Sequence, residues 1–172
     1  MLWIVLLFSC TIANSPTLPP LAPPIAGLTA RDLHDTFNDA RTGHPHEAID
    51  IASPRGTPVH AVASGTIRKL FLSKAGGNTI YQFDPTERYA YYYAHLDRYA
   101  AGLREGGPVA AGDVIGFVGS TGDASPDAPH LHFTVFELGP EKQWWKGMAI
   151  NPYQALLEGV TRAARTMRPP TR

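Results

Sequence analysis

The sequence predicts a mainly β domain of antiparallel strands closed by a short C-terminal helix. Two observations carry this. From about residue 54 onward, short strand-like runs alternate with Gly and Pro turn signals. Helical periodicity is scarce, while the 172 residues include 16 glycines and 16 prolines, a mix that favours turn-rich β architecture over a helical bundle.

Taken in order, the chain opens with an apolar run, Leu2 to Ser9. It is too short for a membrane span, which needs roughly 20 residues, and reads as an export signal over residues 1–10. Cys10, the only cysteine, closes it, so an internal disulfide is excluded. Leu7-Phe8-Ser9-Cys10 resembles a bacterial lipobox, which makes Cys10 the expected lipidation site and implies membrane attachment through a lipid anchor. Residues 11–28, with Pro16, Pro19, Pro20, Pro23 and Pro24, are expected to form an extended spacer reaching about 55 Å. The folded domain is placed at 29–160 and a basic tail at 161–172. Ala30 to Phe37 fits a short helix or an edge segment equally well.

Pro54 to Pro58 reads as a turn, followed by a strand-like stretch from Val59 to Phe71 broken at Gly65. Gly76-Gly77 is a second turn before Asn78 to Phe83, and Asp84 to Arg88 is a hairpin loop leading into Tyr89 to Leu96. Val114 to Val118 and His130 to Leu138 are the later strands. Asn151-Pro152 is a cap and first-turn pair for a helix reaching about Arg165.

Lys plus Arg equal Asp plus Glu, at 15 each, so the charge balance gives no sign of a nucleic-acid partner. The chemistry gathers in three clusters instead. In Pro129-His130-Leu131-His132-Phe133, alternation puts His130 and His132 on one face, roughly 6 to 7 Å apart, and Leu131 and Phe133 on the other. In His46-Glu47-Ala48-Ile49-Asp50, a straight strand would hold His46 and Asp50 roughly 13 Å apart, so the backbone must bend or coil. A helical turn would align them and offer Glu47 as a base. Pro45, Pro54 and the β-branched Ile49 and Ile51 favour a bent loop, with Glu47 an ordinary surface carboxylate. In Tyr91-Tyr92-Tyr93-Ala94-His95-Leu96, alternation groups His95 with Tyr89, Tyr91 and Tyr93, and Tyr92 with Leu96.

Together these clusters, with Gly56-Thr57-Pro58-Val59, Gly112-Asp113-Val114-Ile115-Gly116 and Gly119-Ser120-Thr121-Gly122, resemble the lysostaphin-type (LytM-like) zinc metallopeptidases from about Gly43 to Asn151. The resemblance implies an antiparallel β-sheet sandwich or open barrel of the lysostaphin-like (duplicated hybrid motif) type. It implies one Zn²⁺ per chain held by His46, Asp50 and His132, with His95 and His130 as the catalytic histidines. The implied reaction is hydrolysis of a peptide bond in bacterial peptidoglycan. The signal-like leader with Thr11 following Cys10 resembles outer-membrane lipoproteins, and places the exported protein in the periplasm or cell envelope as an expected outer-membrane lipoprotein. Two imidazoles and one carboxylate leave the metal a net positive charge, which activates water and polarises a carbonyl. A histidine must then take the proton, and His130, two residues from a ligand, suits that role; His95 assists or stabilises the developing oxyanion. The chain departs from the family at Ala48, where glycine is usual; if that backbone needs positive φ, strain of roughly 1 kcal/mol follows.

Of the remaining candidates, His44 is set aside as a ligand, and His34 and His60 read as surface or packing residues. Trp144 and Trp145 are expected to pack in a loop or the core rather than stack on sugars. The serines lie in no G-x-S-x-G context. Two rival functions stand: a non-catalytic peptidoglycan-binding module that activates other wall hydrolases, and a zinc peptidase acting on secreted proteins.

Overall fold

Turn residues divide the chain into short strands. In a computed structural model that describes residues 18–41 and 43–166, these are β1 (Ala40–Arg41), β2 (His44–Pro45), β3 (Ile49–Ala52), β4 (Pro58–His60), β5 (Gly65–Ser73), β6 (Gly77–Phe83), β7 (Tyr89–Tyr99), β8 (Pro108–Val109), β9 (Val114–Val118), β10 (His130–Leu138) and β11 (Gly147–Ile150), followed by the helix α1 (Tyr153–Thr166). The apolar leader, Cys10, the first part of the proline-rich stretch and the end of the basic tail lie outside the described residues. No helix among the described residues is long and apolar enough to cross a membrane.

β1 and β2 pair as a small hairpin, and the rest form one open antiparallel sheet in the order β11-β10-β7-β6-β5-β8. β3 lies along the first half of β10 and β11 along its second half. β9 pairs with the end of β7 and with β4. This is the mainly β, antiparallel, unclosed architecture expected, with one C-terminal helix. β11 was not foreseen: Gly147-Met148-Ala149-Ile150 is too short to show a period of two.

Period-two burial gives the sheet two unlike faces. Leu131, Phe133 and Val135 of β10 are fully buried, as are Tyr93 of β7 and Ile80 of β6, and they share one core with Leu156 and Val160 of α1. The Tyr93 hydroxyl at its centre is satisfied: it accepts from the Val62 amide at 3.0 Å and donates to Gln82 Oε1 at 2.9 Å. The opposite face carries His130, His132 and Tyr92.

The domain boundary lies earlier than residue 29. Leu21 and Ile25 are buried in the core, the Leu21 amide donates to the Ala155 carbonyl at 3.0 Å, and the Ala22 amide donates to that of Val62 at 2.8 Å. Residues 18–28 are therefore a strap over α1, not a free spacer. Its apolar residues pack without any periodic pattern because the strap joins no sheet. Gly159 of α1 makes room for it; a Cβ there would strike the Leu21 backbone carbonyl. α1 is capped as expected, with Asn151 Oδ1 accepting the Tyr153 amide at 2.9 Å and Pro152 in the first turn. It continues to Thr166, beyond the boundary expected at 160. Ala30 to Phe37 forms turns and irregular chain, and no helix.

Candidate metal centre

The bent loop is the conformation adopted between His46 and Asp50. Glu47 has φ of 59°, and its amide donates to the Phe37 carbonyl at 2.8 Å. That turn brings His46 Nε2 to 3.1 Å from Asp50 Oδ1. The left-handed residue is thus Glu47 and not Ala48, which is fully buried with φ outside the positive range. The strain anticipated at Ala48 does not arise there, and Glu47, exposed as expected, is the residue that carries the bend.

β3 pairs with β10 so that Asp50 stands opposite His132. His132 Nδ1 lies 3.2 Å from Asp50 Oδ1 and 3.1 Å from His46 Nε2, closing a triangle of three ligand atoms. Bonds of about 2.0–2.1 Å to a tetrahedral zinc place ligand atoms about 3.3–3.4 Å apart, so the triangle fits the ion within a few tenths of an ångström. The donor set fits as well. The Thr36 carbonyl accepts from His46 Nδ1 at 3.0 Å, which leaves a lone pair on Nε2, pointing at the other two ligand atoms. Arg41 Nη2 holds the second carboxylate oxygen, Oδ2, at 3.0 Å.

His95 reaches the site by breaking the strand pattern. Strict alternation would bury it with Tyr93. Instead the β6–β7 register shifts between Asn78 and Ile80, opposite Leu96 and Tyr93, and His95 takes φ of 58°. The added residue is a bulge, and it turns the ring toward His130 and His132, with ring centroids 4.9 and 5.5 Å away. The expected grouping of His95 with the tyrosines is corrected accordingly, and so is that of Tyr92 with Leu96: Leu96 belongs to the core and Tyr92 lines the groove. The bulge is fixed by the His95 amide donating to the Gly76 carbonyl at 2.8 Å. Gly77 and Gly122, both at positive φ, allow the two loops beside it to meet; a Cβ on either would strike the backbone of the other loop.

The two further histidines share one tautomer. His95 Nδ1 donates to the Thr121 carbonyl at 2.8 Å, and His130 Nδ1 to that of Ala128 at 2.9 Å. Each neutral ring therefore keeps a lone pair on Nε2, and that of His130 lies 3.8 Å from Asp50 Oδ1. Burial pushes the His95 pKa down, against the bond to Thr121. Burial also lowers that of His46, with the Asp50 charge opposing it. For Asp50, burial alone would raise the carboxyl, but the hydrogen bond from His132 and the neighbouring imidazoles outweigh it and hold it below the usual carboxylate value.

The four histidines and one carboxylate foreseen from the sequence, His46, Asp50, His95, His130 and His132, thus line one groove of about 680 Å³, bounded also by Arg41, His44 and Asp123. His44 stays outside the ligand triangle, with its Nδ1 beside the Pro45 carbonyl at 2.6 Å. His34 is exposed, and His60 bonds the Gly112 carbonyl. Thr36 and Arg41 were missed, since a threonine in irregular chain and an arginine in a two-residue strand carry no spacing signal.

A fold and groove of this kind are those of a metallopeptidase class. The model of peptidase family M23 matches residues 44–152, and the chain belongs to that family. It is 31% identical over 141 residues to an L-Ala–D-Glu endopeptidase of Bacillus subtilis (strain 168), an alignment covering 77% of this chain and 42% of the relative. Among solved structures it resembles the catalytic domain of the antimicrobial peptidase lysostaphin from Staphylococcus simulans, with a TM-score of 0.56 and 30% identity over 77% of this chain and 85% of that one. A zinc-containing peptidase from Vibrio cholerae matches with a TM-score of 0.56 and 26% identity, over 67% of this chain and 36% of that one. The chain spans less than half the length of the curated relative.

Proposed function

We propose that this protein is a zinc metalloendopeptidase that hydrolyses peptide bonds of bacterial peptidoglycan, with one Zn²⁺ held by His46 Nε2, Asp50 Oδ1 and His132 Nδ1. The observation that carries the proposal is the convergence of these three atoms within 3.1–3.2 Å beside two histidines whose free Nε2 atoms are proton acceptors. When bound, zinc supplies a Lewis acid that activates water and polarises the scissile carbonyl. The protein supplies the proton traffic. His130 Nε2 accepts the proton of the attacking water, and as an imidazolium it donates to the departing amine as the C–N bond breaks. His95, kept neutral by its burial, accepts in the same way; it becomes a donor to an oxyanion only after gaining a proton. Thr36 and Arg41 hold His46 and Asp50 in place from behind.

The peptidoglycan assignment draws on the relatives, one named for cleaving between L-Ala and D-Glu. Export, lipidation at Cys10 and residence in the cell envelope are proposed from the apolar run ending at Cys10. The binding-module alternative requires no metal ligands and no proton acceptors, and this groove holds both.

The test is incubation of purified sacculi with the zinc-loaded protein, a chelated sample and the His46→Ala variant. Release of new peptide ends, lost in the last two samples, is expected. Wall-activating effects that persist in His46→Ala would favour the module and overturn the enzyme.

A further inference from the structure

The groove continues past its histidines as a run of aromatic rings on the same face of the sheet. Tyr92 lies 6.0 Å from His132, Tyr81 4.6 Å from Tyr92, and Trp144 4.9 Å from Tyr81. Trp144 then meets Phe71 and Trp145, each at 5.3 Å. The run steps from β10 across β7 and β6 to β5, three strand spacings or about 14 Å. Its near end is partly buried in the groove, while at its far end Phe71 is 40% and Trp145 62% exposed.

Neither core packing nor the hydrolytic chemistry accounts for the far end. The main core occupies the other face of the sheet, and although Trp144 packs against the small cluster of Phe83, Ala90 and Leu138, Trp145 is left largely open. A contiguous exposed apolar patch marks a ligand surface, and in the sequence the polar Glu141, Lys142, Gln143 and Lys146 border the two tryptophans.

We infer that this aromatic strip is a subsite for the sugar rings of the glycan strand that carries the scissile peptide. The inference rests on the peptidoglycan reading above. A pyranose ring has a flat face of C–H groups and a rim of hydroxyls, which matches an exposed indole with polar neighbours. The reach agrees. A stem peptide of three or four residues spans roughly 10–14 Å when extended, at about 3.3–3.6 Å per residue. With its target bond at His130 and His132, its sugar end falls at Phe71 of β5, which Trp144 contacts and beside which Trp145 continues the run. A membrane or a second protein chain would need a wider apolar area than two open rings provide.

The experiment is an NMR titration of the full chain with an N-acetylglucosamine oligomer, which contains no peptide and requires no turnover. Saturable binding is expected, weakened at least tenfold in Trp145→Ala and largely restored in Trp145→Phe. In parallel, the ratio of cleavage rates on a glycan-linked peptide and the same peptide without sugar should fall at least tenfold in Trp145→Ala. No binding by the wild type, or equal binding by Trp145→Ala, would overturn the subsite. Binding of a sugar-free stem peptide at Trp145 in place of the oligomer would overturn it too. Oligomer binding without cleavage of either substrate would sink the peptidase reading while the subsite stands; cleavage of both substrates alike without oligomer binding would do the reverse.

Discussion

Thr36 braces the proposed zinc ligands from outside their triangle. Its hydroxyl accepts the Asp50 amide at 3.1 Å and donates to the Ala48 carbonyl at 3.1 Å, while its own carbonyl receives His46 Nδ1 at 3.0 Å. Thr36→Val keeps the branched shape and the carbonyl but removes both hydroxyl bonds. A buried donor left without a partner costs about 1–3 kcal/mol, so the metal-free protein should lose stability of that order. Because the amide and the proposed ligating carboxylate belong to the same residue, Asp50 should also lose its fixed aim, and partners of this kind are typically worth about 10–100-fold in metal affinity. Chelator competition measures the zinc affinity, and urea titration of the metal-free protein measures the stability. Thr36→Ser should restore both. If Thr36→Val bound zinc as tightly as the wild type and unfolded at the same urea concentration, the hydroxyl would hold nothing. A loss of stability alone would show that it holds the loop but not the ligand.

Three other expectations follow from the backbone and the buried imidazoles. Glu47→Gly should be neutral or stabilising, because glycine relieves the left-handed conformation, whereas Ala48→Gly should cost about 0.5–1 kcal/mol in denaturant midpoints. Gly159→Ala, which in an open helix would gain roughly 1 kcal/mol, should instead destabilise by displacing the strap at Leu21; faster proteolysis within residues 18–28 reports it. In the chelated protein, His46 and His95 have folded-state pKa values below their ordinary 6.5. The unfolded chain then binds more protons in that window, so stability should fall as pH drops below 6.5 and level off beneath the folded values. A urea midpoint that rises on acidification through this range would contradict the burial assigned to these rings.

What the sequence disclosed depended on how locally each feature is encoded. His130 and His132 were legible because a strand's period of two needs no outside information, and the bend at His46 to Asp50 followed from the distance a straight strand would impose. Asn151-Pro152 announced α1 by its own chemistry. The facing of His95 was misread because the bulge that turns it answers to the Gly76 carbonyl and the packing of two loops far along the chain. The strap escaped notice for a related reason: Leu21 and Ile25 sit among prolines, and only α1 and Val62 make them part of the core. Thr36 and Arg41 act through hydrogen bonds and an ion pair to residues 9 to 14 positions away, separations that no strand or helix period encodes.

The strap has a mechanical consequence. It is clasped to Ala155, Val62 and His60 by backbone hydrogen bonds, on the core side of the sheet. Tension arriving from residues ahead of Leu18 would load α1 and β4 first, and would have to peel the strap from Gly159 before reaching β3 or β10. The strands that bear His132 and Asp50 are shielded from that pull, so the shape of the groove is independent of how taut the preceding chain becomes.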